Sequence, residues 1–151
     1  MPPNTVLVAV DGSDAALDAA RSGLALLAPD TTVVVVTAVA ASDPTLVTGT
    51  GMASGVMSAE ELEALDEASL AEGEAAVTAA RAALNRPDAD AAIVSGDAGP
   101  ALCDMARERD VSAIVMGSRG RGGIKRALLG SVSDYVVRNA PCPVIITGPA
   151  Q

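Results

Sequence analysis

The sequence predicts an α/β fold: a single doubly wound, five-stranded parallel sheet with helices on both faces. Three observations predict it. Short apolar runs rich in Val and Ile alternate with longer stretches whose apolar residues recur at helical spacing. Most of the turns between them are short, as in a chain of βαβ units. Half of the residues are hydrophobic while only 1% are aromatic. The core is therefore built from Val, Ile, Leu and much Ala, which suits helices packed tightly on a buried parallel sheet.

Each element follows in order. Val6 to Val10 is an apolar run stopped by Asp11-Gly12-Ser13, a buried strand leading into a helix cap. Leu17, Ala20, Leu24 and Leu27 then keep helical spacing until Pro29-Asp30 breaks it. Thr32 to Val39 is β-branched and nearly all apolar, the pattern of a central strand covered on both faces. Residues 41–58 are dominated by Gly, Ser, Thr and Pro, with no charge after Asp43. Connections of that length in a compact domain are often functional or disordered.

Ser58, three residues ahead of Glu61, forms a capping box at the head of an acidic helix. Its apolar stripe includes Leu62, Leu65, Ala76, Val77, Ala80 and Leu84, and Pro87 ends the segment. The carboxylates along it read as a solvated face. Ala91 to Val94 is a third strand, and Gly96 to Pro100 turns into a helix carrying Leu102, Met105 and Ala106. Ser112 to Met116 is a fourth strand that ends directly on Gly117. Ser131 to Asn139 is a helix, and Val144 to Thr147 a fifth strand.

A strand order of 3-2-1-4-5 follows if the third strand lies beyond the second and the fourth returns to the other side of the first. The winding then reverses between strands one and four, where open α/β sheets bind ligands beyond the strands' C-terminal ends. Asp11 is expected opposite Gly117 there. With 151 residues, no internal repeat and no linker, residues 1–151 are expected to form one domain.

Composition excludes several functions. The chain has no histidine, so Ser-His-Asp and Cys-His catalysis and histidine phosphotransfer are ruled out. Cys103 and Cys142 stand apart with no CxxC, so no metal site with dedicated ligands is expected, and both read as buried thiols in a reducing compartment. The net charge of −9 argues against a nucleic-acid partner. The start, Met1-Pro2-Pro3-Asn4-Thr5, carries no positive charge, and no apolar run reaches the ~18–20 residues of a membrane span. A cytoplasmic protein without membrane contact is expected.

The chain's most specific feature is the run Met116-Gly117-Ser118-Arg119-Gly120-Arg121-Gly122-Gly123, closed by Gly130-Ser131. Glycines lack the Cβ that would hold a ligand away, and they allow the backbone to turn N–H groups inward. The helix that follows offers unpaired N–H donors and the positive end of its dipole. Five of the ten basic residues, Arg119, Arg121, Lys125, Arg126 and Arg138, fall in this region, opposed only by Asp134. This arrangement suits a phosphate-bearing ligand. It is neither a Walker A loop nor a dinucleotide fingerprint.

The spacing Gly117-x2-Gly120-x9-Gly130-Ser131 closely resembles the signature of the universal stress protein family, in its ATP-binding branch. The resemblance covers nearly the whole chain. It includes residues 8–13 (Val-Ala-Val-Asp-Gly-Ser), Val115 to Gly120, Leu128 to Ser133, and Ala140 to Val144. It implies a Rossmann-like domain of the adenine nucleotide alpha hydrolase-like type that binds ATP with Mg2+. In such members Asp11 lies beside the adenosine and Ala9 lines the same wall. Ala38 and Val39 meet the adenine through their backbone, and Gly117 lies near the ribose. Gly120, Gly130, Ser131 and Val132 surround the phosphates. Ser118, Gly122 and Gly123 belong to the same loop, and Arg119, Arg121 and Lys125 are placed to neutralise charge. One departure is Ala98, where many relatives carry proline; here Pro100 comes later.

Each feature also has a structural reading. Asp11 would cap the first helix, Ser131 with Asp134 would form a capping pair, and the glycines would simply be flexible. The last strand, hydrophobic and barely protected by charge, is an edge that pairing with a twofold mate would cover. Family members resembling this chain form homodimers in this way. The leading expectation is a stress-response regulator or sensor, working through nucleotide-dependent conformation and a regulatory protein partner. The alternatives are a slow Mg-dependent ATPase, for which no clear general base is visible, and a nucleotide-free dimeric interaction module.

Overall fold

The computed structural model describes residues 4–42, 57–118 and 129–148. Among the described residues five strands and four helices alternate: β1 (Thr5–Ala9), α1 (Asp14–Leu24), β2 (Thr32–Val39), α2 (Ala59–Ala83), β3 (Asp90–Ser95), α3 (Ala98–Glu108), β4 (Ala113–Gly117), α4 (Ser131–Asn139) and β5 (Val144–Thr147). The strands form one sheet in the order β3-β2-β1-β4-β5, parallel throughout. This is the doubly wound sheet that the apolar runs predict.

Alternation along the strands separates two cores. Val6, Val8, Val33, Val35, Ala113 and Val115 face α1 and α2. Leu7, Val34, Val36, Ile114 and Met116 face α3 and α4. Both faces are covered, so the central strands read as continuous apolar runs.

The helix ends show how the chain turns. Ser13 caps α1 by accepting from the Ala16 N–H at 3.2 Å. Ser58 caps α2, and the Glu61 carboxylate accepts from the Ser58 N–H at 2.8 Å, completing the expected capping box. Helix α1 stops at Leu24, short of the Leu27 that its periodicity includes. The next turn tightens, with Leu26 donating to Gly23 and Leu27 to Leu24.

Helix α2, at ~37 Å for 25 residues, outruns the ~26 Å of β2. Its buried residues, Gly73, Val77 and Ala80, lie in the C-terminal half, while Leu65 of the predicted stripe is exposed. Pro100 is the third residue of α3, in the first turn, where a missing N–H costs no intrahelical bond.

Candidate functional site

The strand order reverses between β1 and β4, which pair Val6 with Ala113 and Val8 with Val115. Both strands therefore run out on the same edge of the sheet, β1 at Ala9 and β4 at Gly117. Ala9 is partly buried and packs into the core on the α3 and α4 side.

Beyond β1 the chain makes a tight turn through Gly12, whose φ of 83° favours glycine. Asp11 shapes this turn. Its Oδ1 accepts from the Ser13 N–H at 2.9 Å and from the Ser13 hydroxyl. Ser13, rather than Asp11, caps the helix, and Asp11 orients the cap. The carboxylate stays partly exposed at the strand tip.

At the tip of β2, Ala38 pairs with Val94 and Val39 with Ser95. The Val39 carbonyl accepts from the Gly96 N–H at 3.0 Å, so one acceptor site of this predicted base contact is already used. On the α2 side of the same tip lies an open cleft of about 410 Å3, lined by Val39, Ser42, Asp66, Leu70 and Ile93 among others. The Ser42 hydroxyl donates to Asp66 within it.

The glycine loop has a closed base. The Ser118 N–H donates to the Thr147 carbonyl at 3.0 Å, continuing the β4–β5 ladder. The Ser118 carbonyl accepts from the Gly130 N–H at 2.6 Å and from the Ser133 hydroxyl at 2.9 Å. The chain thus leaves β4 and enters α4 through one neck, with Ser118 and Ser133 both buried. Arg119, Gly120, Arg121, Gly122 and Gly123, with Lys125 and Arg126, lie outside the described residues.

Gly130 is the N-cap of α4, and no side chain caps it. Ser131 is the first helical residue and exposed, so the predicted capping role for its hydroxyl does not hold. The first-turn N–H groups of Ser131, Val132 and Ser133 have no intrahelical acceptor and carry the positive end of the helix dipole. Helix α3 also lacks a side-chain cap, whereas α1 and α2 both have serine caps. Arg138, counted in the basic cluster, instead pairs with Asp134 at 3.1 Å.

Sequence reasoning missed Ser133, whose hydroxyl helps to close the neck. A hydroxyl at the third position of a helix was its only local signal.

Of the two thiols expected to be buried, Cys103 is buried and Cys142 only partly so. Burial raises the pKa of Cys103, with Arg107 opposing and Asp104 adding to the shift. Burial also raises Cys142, and its neighbour Cys103 pushes the same way. Both stay protonated near neutral pH and are poor nucleophiles. Among the described residues, no group of three or more Cys, Asp or Glu side chains is placed to hold a metal ion. Nor is any described helix long and apolar enough to cross a membrane.

The chain matches the model of the universal stress protein family over residues 3–148. A stretch of 66 residues is 39% identical to universal stress protein YxiE of Bacillus subtilis, covering 44% of this chain and 45% of that protein. The chain thus spans less than half the length of this relative. The fold is similar to that of hypothetical protein MJ0577, with a TM-score of 0.74 and 19% identity over 100% of this chain and 99% of the other. It is also similar to a universal stress protein solved in complex with cAMP, with a TM-score of 0.60 and 26% identity over 97% of this chain and 98% of the other.

Proposed function

Because the chain belongs to the universal stress protein family, we propose that it is an ATP-binding regulator of a cellular stress response, working in the cytoplasm as one nucleotide-binding domain. The observation that carries this reading is the neck. Ser118 and Gly130 are joined beneath an uncapped α4. That arrangement supports an anion held by the Ser131 and Val132 N–H groups, beyond the strand ends where the order reverses. A relative described as a complex with cAMP supports an adenine nucleotide as the ligand class.

In this reading Gly117, Ser118, Gly130, Ser131 and Val132 hold the phosphates and ribose. Ala9 and Asp11 form one wall, and Ala38 and Val39 receive the base. Arg119, Gly120, Arg121, Gly122 and Gly123 complete the phosphate contacts, a role that rests on the sequence alone. Mg2+ would enter on the nucleotide, held by phosphate oxygens and water.

Nucleotide occupancy regulates only if it favours one conformation over another, and the partner protein reads that difference. The partly exposed edge strand β5 pairs with its twofold mate in a homodimer.

Mass spectrometry of material released from denatured protein tests the ligand. Thermal shifts with Mg·ATP then compare wild type with Gly130→Ala. A co-purified adenine nucleotide and an ATP-dependent stabilisation that the variant loses are expected. Empty wild type that ignores added ATP would favour a nucleotide-free module. Phosphate release that Asp11→Asn abolishes without loss of binding would favour an ATPase.

A further inference from the structure

We propose that Ser133 is the positioning residue of this site, holding β4 and α4 at the separation and angle that a nucleotide's phosphates require. The proposal rests on the nucleotide reading above and adds a residue that this reading leaves without a role.

A serine in the first turn of a helix commonly bonds back to a nearby carbonyl. The Gly130 carbonyl lies within reach of the Ser133 hydroxyl at 3.1 Å, but the hydroxyl has only one hydrogen to donate. Its nearer partner is the Ser118 carbonyl at 2.9 Å, fifteen residues away across the mouth of the loop. The Gly130 carbonyl already accepts from the Asp134 N–H at 2.9 Å, so the helix does not need this hydroxyl.

The Ser118 carbonyl has two donors from the α4 side, the Gly130 N–H and the Ser133 hydroxyl. One bond fixes a distance; two from different points also fix an angle. Ser133 is 2% exposed and Ser118 8%, so water has little access to replace a lost donor. Ser118 is itself anchored to Thr147, whose hydroxyl donates to the Ala19 carbonyl at 2.7 Å. The clasp therefore ties the α4 amides to a frame built from β4, β5 and α1. Misplacing binding groups by about 1 Å is enough to lose much of an interaction.

The full-length chain tests this through two independent readouts, amide hydrogen exchange of Gly130 without ligand and calorimetric affinity for Mg·ATP. Ser133→Ala is expected to speed Gly130 exchange and to weaken ATP binding, each about tenfold. Ser133→Thr, which keeps the hydroxyl, is expected to restore both. Thr31→Ala, which removes another buried hydroxyl away from the neck, is expected to change neither. Should Ser133→Ala fail to fold, Ser133→Cys keeps the size with a weaker donor and is expected to move both readouts in the same direction.

Unchanged Gly130 exchange in Ser133→Ala or Ser133→Cys overturns the proposal. So does an equal effect of Thr31→Ala, or a threonine variant that behaves like alanine. Wild type that binds no ATP overturns the nucleotide reading instead, and the exchange data still decide whether Ser133 holds the neck.

Discussion

Gly23 of α1 lies so close to Val115 of β4 that a Cβ on the glycine would stand 2.3 Å from Cγ1 of the valine. Val115 is fully buried, on the strand next to the central β1. The contact seats α1 against the strand that carries the glycine loop.

Gly23→Ala is therefore expected to destabilise the protein by about 1–3 kcal/mol through overpacking. This outweighs the ~1 kcal/mol by which alanine favours a helix over glycine. Urea denaturation of the variant checks it. An unchanged or higher midpoint would show that the helix can stand further off.

Asp11 separates stability from binding. Asp11→Ala removes the acceptor of both Ser13 bonds and is expected to cost about 1–2 kcal/mol of stability. Asp11→Asn keeps an acceptor oxygen for the Ser13 N–H, so a loss under about 1 kcal/mol is expected. Denaturation curves of the two variants test the order.

The ends of α2 and α3 share one device. Asn85 and Asp110 sit in the left-handed region, with φ of 54° and 48°. At the first, Arg86 donates to Arg81 and Asn85 to Ala82; at the second, Val111 donates to Ala106 and Asp110 to Arg107. These paired bonds make Schellman motifs, in which glycine is the usual residue. Asn85→Gly and Asp110→Gly are each expected to stabilise by up to ~1 kcal/mol. The gain should be larger at Asp110, whose negative charge sits at the unfavourable end of the α3 dipole. Thermal unfolding of both variants measures the difference.

The thiols give a pH signature. Burial raises both pKa values above the 9.0 of a free thiol, so the folded state holds its protons longer than the unfolded chain. The stability this contributes is fully present below pH 9.0 and is lost as pH rises through the folded values. Wild type should weaken more steeply above pH 9 than Cys103→Ala/Cys142→Ala, compared by urea denaturation across pH 8–10.5. Parallel curves would contradict this.

Much of this architecture was legible locally. β2, α4 and β5 have the expected bounds because each is an apolar run or periodic stretch with clear breaks. The capping box at Ser58 and Glu61 is a short-range pattern and formed as read. Other features depend on contacts that no local window contains. Leu65 fits the α2 stripe, but periodicity does not reveal that this helix outruns its sheet. Asp11 and Ser13 are both good cap residues, and the bond that the Ser13 hydroxyl accepts from the Ala16 N–H assigns the role to Ser13. Asn85 and Asp110 end helices without the glycine that would have marked them. Ser133 carries no comparable local mark, because its nearer partner is Ser118, just past the end of β4.

The pairing of Val6 with Ala113 has a consequence for synthesis. While the chain leaves the ribosome, β1 can acquire only its β2 neighbour. Its other side stays open until more than a hundred further residues have been added, a wait on the order of 5–20 s at typical elongation rates. Nascent chains therefore spend that interval with one edge of β1 unpaired. An open strand edge invites pairing with other chains, so protection during synthesis matters as well as the stability of the finished molecule.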